Sequence, residues 1–242
     1  EACKTAVEFS EAQGFRLHSF GGSFSYTIND TIKTQLDLRT AFTERENNEE
    51  ILWAFTNSRV SDLQRYFMPQ ILAGDRGVDA VTPRGTIAPT LKMVKQYYTD
   101  KGLPLAYDKD WVGSSDEDLV TATMDDRYYV KKGQVTVKLH YDREPRFYAD
   151  LGFDGGVWYK YDSPTNSDEG TFVLEAKSTQ VAGASNYGWY NETGYFVKKV
   201  VDWNMINGTN GATYRTYPWP ELRLADLYLM YAEALNETLG SP

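Results

Sequence analysis

Three short stretches of the chain combine aromatic rings with hydrogen-bonding side chains at close spacing. The first is YDKDW, with Tyr107, Asp108, Asp110 and Trp111. The second is GGVWYKY, with Trp158 and Tyr159. The third is SNYGWYNET, with Asn186, Tyr187, Trp189, Tyr190 and Asn191. A saccharide ring has an apolar face of C–H groups and a rim of hydroxyls. Trp and Tyr rings stack on such a face, and Asp, Asn, Arg and Gln bond the rim. Each contact is modest, so several must converge. The third stretch is the most loop-like and the least explained by core packing. For every one of these rings the competing reading is a loop aromatic that caps the core. Trp203 stands in an apolar run and reads as core.

Other chemistry is weaker. The run DREPR, residues 142–146, offers acids beside a base, yet alternating charges around a proline read as a structural ion-pair network. The run DSPTNSDEG gathers Asp162, Asn166, Asp168 and Glu169. Its spacing misses the calcium-loop pattern, and a solvated acidic loop is the expectation. Cys3 is the single cysteine, and the two histidines, His18 and His140, are far apart. This excludes an internal disulfide and the usual zinc spacings, so no metal is expected. Phosphate-loop, dinucleotide and serine-elbow motifs are absent, and no cofactor is expected. Four Asn-x-Thr tripeptides begin at Asn29, Asn191, Asn207 and Asn236. That pattern is short and common.

The bulk composition limits the partners. The net charge of −9 argues against a general grip on nucleic acid and against docking on an anionic membrane. Hydrophobic content of 41% and charged content of 24% suit a globular domain with a sizeable core. Aromatic content is 14%, with 18 Tyr and 6 Trp, which suits either a tyrosine-rich core or a wet recognition surface. No segment has the length of a membrane span.

The elements that must position these residues are unevenly legible. ACKTAVEFSEAQG reads as a helix stopped by Gly14. EEILWAF is a short, strand-like apolar run. A helix is predicted from about Pro89, with Leu91, Val94 and Tyr98 on one side and Gly102 as its stop. QVTVKLHY alternates Val135, Val137, Leu139 and Tyr141 as a half-buried strand. FYADLGFDGGVWYKY reads as two extended pieces around Asp154-Gly155-Gly156, with GTFVLEAKS able to pair nearby. Residues 178–220 read as long loops with short strands, the setting in which binding usually lives. RLADLYLMYAEALNE, residues 223–237, is a helix apolar on nearly all sides with one narrow polar stripe. Such a helix needs partners on several sides, whereas only two other helices are convincing. It fits a longer protein built partly of stacked helix pairs.

At this point the sequence resembles the SusD/RagB family, surface lipoproteins that capture nutrients. YPWPELRLADLYLMYAEALNE resembles the family's hallmark segment. NNEEILWAF, LQRYFMPQI, YDREPRFYADLGFDGGVWY (with Glu144 where Asp is usual) and TGYFVKKVVD resemble further family segments in the same order. The resemblance implies a single domain over residues 1–242 that lacks the upstream helical hairpins and the C-terminal end. It implies a mainly α fold with long irregular loops and short β-strands, a SusD-like α–α superhelix presenting a loop-rich binding face. It implies a lipid anchor on an upstream cysteine, which Cys3, inside a helix, is not. It implies display at the bacterial cell surface on the outer membrane, a SusC-like TonB-dependent transporter as partner, an oligosaccharide ligand and no enzymatic activity.

Three functions are weighed. The first is glycan capture without turnover, with Trp189, Tyr190, Tyr187, Asn186, Trp111, Tyr107, Asp110, Trp158 and Tyr159 as candidate contacts. The second is peptide capture, as in one branch of the family, which needs backbone hydrogen-bond partners. The third is glycoside hydrolysis, which needs two facing carboxylates. Asp108, Asp110, Asp142 and Glu144 are available by type alone.

Overall fold

The computed structural model describes the chain apart from residues 23–26, 73–81, 114, 162–171, 185–189, 209–210 and 241–242. Its helices, in chain order, are α1 (Ala2–Ala12), α2 (Asp30–Thr43), α3 (Val60–Phe67), α4 (Leu91–Gln96), α5 (Pro145–Asp150) and α6 (Leu224–Leu239). Among the described residues, ten short strands run between them: β1 (Ile51–Phe55), β2 (Leu119–Thr121), β3 (Val135–Val137), β4 (Leu151–Gly152), β5 (Val157–Trp158), β6 (Phe172–Val173), β7 (Phe196–Val197), β8 (Ile206–Gly208), β9 (Gly211–Thr213) and β10 (Trp219–Arg223). They pair antiparallel as five two-stranded ladders: β1–β10, β2–β3, β4–β7, β5–β6 and β8–β9. Helices joined by long loops and minimal ribbons match the expected mix.

Helix α1 ends where Gly14 takes a φ of +92°, as the sequence predicts. Helix α2 is one the sequence reading missed. Asn29, noticed only as the start of a tripeptide, is its N-cap, and its Oδ1 accepts from the Ile32 N–H at 2.9 Å. Ile32 and Leu36 then fall on one buried face. Asn191 is likewise structural. Its Nδ2 donates to the carbonyls of Gly85 and Tyr195, at 2.9 and 2.8 Å.

The helix expected from Pro89 to Gly102 stops at Gln96 instead. Buried Arg143 is the cause. Its Nη2 donates to the Val94 and Tyr97 carbonyls, at 3.1 and 2.7 Å, and Tyr97 turns extended. The Tyr98 N–H, which a continuing helix would have aimed at Val94, donates to Glu144 Oε1 at 2.8 Å. The run DREPR is therefore only partly an ion-pair network. Glu144 pairs with Arg146, while Arg143 braces backbone carbonyls.

The strand expected over residues 134–141 also shortens. It ends at Val137 and a 3-10 turn follows over Lys138–His140. Val135 is exposed and Thr136 is buried, opposite to the expected facing, because the Thr136 hydroxyl hydrogen-bonds His140 Nδ1 at 2.8 Å. Of the two extended pieces expected around Asp154-Gly155-Gly156, the first is a correction, because Phe147–Asp150 lie in α5 behind Pro145 at the helix start. Only Leu151–Gly152 and Val157–Trp158 are strands, and they do not pair with each other. β5 pairs with β6, as foreseen for GTFVLEAKS, and β4 pairs with β7.

Three apolar clusters form the core. One gathers Val94, Trp111, Val130, Leu139, Phe147 and Phe153. Another holds Met68, Trp158, Leu174, Phe196 and Met205. The third joins Ile32, Leu36, Val157, Tyr159 and Trp203, so Trp203 is core as expected. Two of the buried cations, Arg39 and Lys198, lie against this core. Arg39 donates to the Tyr159 and Val201 carbonyls, and Lys198 to those of Tyr148 and Val157. Each lies 5.4 Å from the Trp158 ring centroid.

Helix α6 forms where expected but is not enclosed. It packs along α1, and Tyr228 bonds Glu11 there. Leu224 is its buried residue, while Leu229, Met230, Leu235 and Leu239 are exposed, Leu229 to 68%. Its entry is fixed instead. The Arg223 N–H donates to Asp226 Oδ2 at 2.8 Å, and Arg223 Nη1 lies 3.2 Å from Glu50 Oε1 beside the β1–β10 ladder. Among the described residues no helix is long and apolar enough to cross a membrane.

Candidate functional site

The segment 95–116 carries an open pocket of about 870 Å³. Thr90 caps α4, its hydroxyl accepting from the Met93 N–H at 3.3 Å. The short helix then delivers Lys95 and Gln96 to the rim. After Arg143 ends α4, Tyr98 projects from extended backbone and lines the pocket, 42% exposed. A reversal follows. The Gly102 N–H donates to the Thr99 carbonyl at 2.9 Å with Gly102 at a φ of +72°, and the Thr99 N–H donates to the Leu103 carbonyl at 2.8 Å. Pro104, Leu105 and Ala106 form the next wall.

Asp108 locks the far side of this loop. Its carboxylate accepts from the Asp110 N–H at 3.0 Å and from Lys101 Nζ at 3.3 Å. The Asp110 backbone bond, with help from Lys101, holds the Asp108 carboxyl below its ordinary pKa. Lys101 also bonds the Asp110 carboxylate. The Asp108 carbonyl accepts from the Trp111 and Val112 N–H groups, at 2.9 and 3.0 Å, and so turns Trp111 under the loop.

Trp111 lines the pocket but is only 6% exposed, with Lys138 Nζ 5.4 Å and Arg143 Cζ 5.7 Å from its ring centroid. Val112 and Asp116 complete the wall, and Asp116 Oδ2 meets Lys95 Nζ at 2.5 Å. An aromatic face, an amide and a paired donor and acceptor around an open cavity can hold a hydroxylated ligand.

The sequence candidates fare differently. Trp111 lines this pocket. Tyr107, 78% exposed, and Asp110, also exposed, sit on the adjoining turn. Trp158 and Tyr159 are a correction: they are 1% and 3% exposed, packed in two core clusters, and no ligand reaches them. Both faces of the chain are covered at this point, Trp158 by one cluster and its neighbours Val157 and Tyr159 by another. Tyr190 is 45% exposed, away from this pocket. Asn186, Tyr187 and Trp189 lie outside the described residues, as does the acidic run DSPTNSDEG after its first residue's predecessor, Tyr161. Among the described residues no cluster of His, Cys, Asp and Glu could hold a metal.

Tyr98, Lys95 and Asp116 were missed by the sequence reading. Helical periodicity put Tyr98 beside Val94 on an inner face, and only the Arg143 brace turns it outward. Two other cavities were also not foreseen. One, of about 720 Å³, is an apolar groove between Phe55, Trp219, Leu63 and Tyr66. The other, of about 510 Å³, is a polar cleft among Arg16, Glu46, Glu49, Asn204 and Arg215.

The histidines play no part in the pocket. His140 is buried, stacked 4.2 Å from Phe153 and bonded to the Tyr195 hydroxyl at 2.9 Å; burial, then Arg143, lowers its pKa to about 3. Of the carboxylates raised earlier, Glu144 is engaged by Arg146 and Tyr98, and Asp108 and Asp110 share Lys101. Burial raises the Asp142 carboxyl, with Asp100 and Asp126 adding to the effect, but Asp142 does not line the pocket.

Comparison with known proteins gives a consistent picture. No curated protein matches the sequence significantly. The solved structure of BT4246 aligns over 98% of this chain and 41% of its own, with a TM-score of 0.66 and 25% identity. A SusD-like protein (BF3747) from Bacteroides fragilis aligns over 99% of this chain and 40% of its own, with a TM-score of 0.55 and 19% identity. The chain thus spans about two-fifths of the length of these structures. The SusD family model matches residues 49–242. Over four-fifths of its length, and in its fold, this chain belongs to the SusD family.

Proposed function

We propose that the chain is part of a cell-surface protein that captures an oligosaccharide and delivers it to a SusC-type TonB-dependent transporter of the outer membrane. The observation that carries the reading is the open pocket walled by Tyr98 and Trp111, with Lys95, Gln96 and Asp116 as hydrogen-bonding partners. Tyr107 and Asp110 extend the same surface. Trp189, Tyr187, Asn186 and Tyr190 remain proposed contacts of a second loop. A lipid anchor upstream holds the protein to the membrane. The exposed apolar side of α6 is covered by further helices of the same protein, which build the superhelical scaffold. Supporting this, the chain accounts for 41% of the length of BT4246.

Binding without turnover is the expected activity. Asp116 is the one carboxylate among the described residues lining the pocket, and it is paired with Lys95. Hydrolysis of a glycoside needs two carboxyl groups across the scissile bond. The test is affinity electrophoresis against a polysaccharide panel, with reducing-sugar release measured in parallel. Retardation without release is expected, and weaker retardation for Tyr98→Ala. Sugar release overturns the reading, and peptide binding without glycan binding favours the peptide-capturing branch instead.

A further inference from the structure

We infer that the pocket between Tyr98 and Trp111 selects an uncharged saccharide rather than one bearing uronate or sulfate groups. This rests on the reading of that pocket as a glycan site and names its ligand class.

Charge placement decides between the two ligand classes. Among the described lining residues Lys95 is the sole cation, and Asp116 Oδ2 already meets its Nζ at 2.5 Å. An anionic ligand that met Lys95 would sit beside Asp116 as a like charge. The neighbouring cations are engaged as well. Lys101 is held by Asp108 and Asp110. Lys138 donates to the Asp110 carbonyl at 3.3 Å and lies over the Trp111 ring. Arg143 is buried and donates to the carbonyls of Leu139, Val94, Tyr97 and Tyr98. Among the described residues lining the pocket, no cation is left over to meet a carboxylate or sulfate. The net charge of −9 adds a long-range field that slows the approach of a polyanion.

The same pair suits a neutral ring. An ammonium and a carboxylate in contact present a donor and an acceptor side by side, which two adjacent hydroxyls can bridge in opposite senses. The side chains are 43% and 31% exposed, so both retain open bonding directions. The Gln96 amide offers a further donor and acceptor, and the Tyr98 face takes the C–H side of the ring.

The test uses the whole protein in native gels cast with neutral polysaccharides (dextran, galactomannan, xyloglucan, laminarin) or anionic ones (polygalacturonate, alginate, chondroitin sulfate). Retardation by a neutral polymer and by no anionic one is expected. Its affinity, measured by calorimetry, should hold when salt is raised to about 1 M, where screening lengths fall to roughly 3 Å. Asp116→Asn frees Lys95. It should weaken neutral binding about tenfold, the scale of one charge-assisted hydrogen bond, and introduce salt-sensitive retardation by anionic polymers. Wild-type retardation by anionic polymers overturns the inference and leaves glycan capture standing. An unchanged Asp116→Asn variant also overturns it, since the pair would then play no part. Retardation by no polymer of either class overturns glycan capture itself.

Discussion

Helix α6 has sixteen residues and buries one of them, Leu224. The segment from α5 to β5 has only short pieces of helix and strand, yet Phe147, Tyr148, Leu151, Phe153, Val157 and Trp158 are all buried. A helix satisfies its own backbone and so forms without enclosure once its entry is capped. Irregular chain has no such internal bonding, so its carbonyls need donors brought from elsewhere. Here the donors are buried cations. Arg39 serves Tyr159 and Val201, Lys198 serves Tyr148 and Val157, and Arg143 serves the loop that carries Tyr98. Regularity and burial are separate properties in this chain, and the pocket depends on the second.

The irregular core is most easily broken at its buried cations. Arg39→Met removes the donors to the Tyr159 and Val201 carbonyls and should cost on the order of 3 kcal/mol, read by chemical denaturation. A loss below about 1 kcal/mol would mean that the loop core does not rely on its cations.

The next effect is a pH dependence confined to the buried side. His140 falls from an ordinary value of 6.5 to about 3 in the folded protein. The unfolded chain therefore binds the proton more readily, and the stabilisation is complete above about 6.5. It drains away as pH falls towards 3, at up to roughly 1.4 kcal/mol per pH unit. Thermal melts across that window should show a steeper acid loss for the wild type than for His140→Asn, and parallel slopes would contradict the assignment.

Tyr98→Ala separates binding from folding on the exposed side of the same loop. It should weaken glycan binding about tenfold and shift stability by less than about 1 kcal/mol, because Tyr98 contributes its backbone, not its ring, to the Arg143 and Glu144 bonds. A large stability loss would make Tyr98 a packing residue.

The smallest effect is expected on α6. Leu229→Gln keeps helix propensity and alters an exposed position, so this chain should change by within about 0.5 kcal/mol. The contrasting measurement is on the whole protein, where the same change should destabilise measurably if further helices cover that face.

What the sequence determined by itself is local or ordered along the chain. The α1 stop at Gly14, the existence of α6, the extended character of residues 51–55 and the family segments in their order are all carried by neighbouring residues. The absence of a metal-ligand spacing is readable in the same way. What only the tertiary structure decided depends on partners remote in sequence. Arg143 cuts α4 short and turns Tyr98 into the pocket from more than forty positions away. β6 and the core close over Trp158 and Tyr159, which composition alone had offered as ligand contacts. The reason is physical: helix stops and apolar periodicity act over a few residues, whereas burial and backbone bracing are set by whichever distant side chain arrives at the carbonyl first.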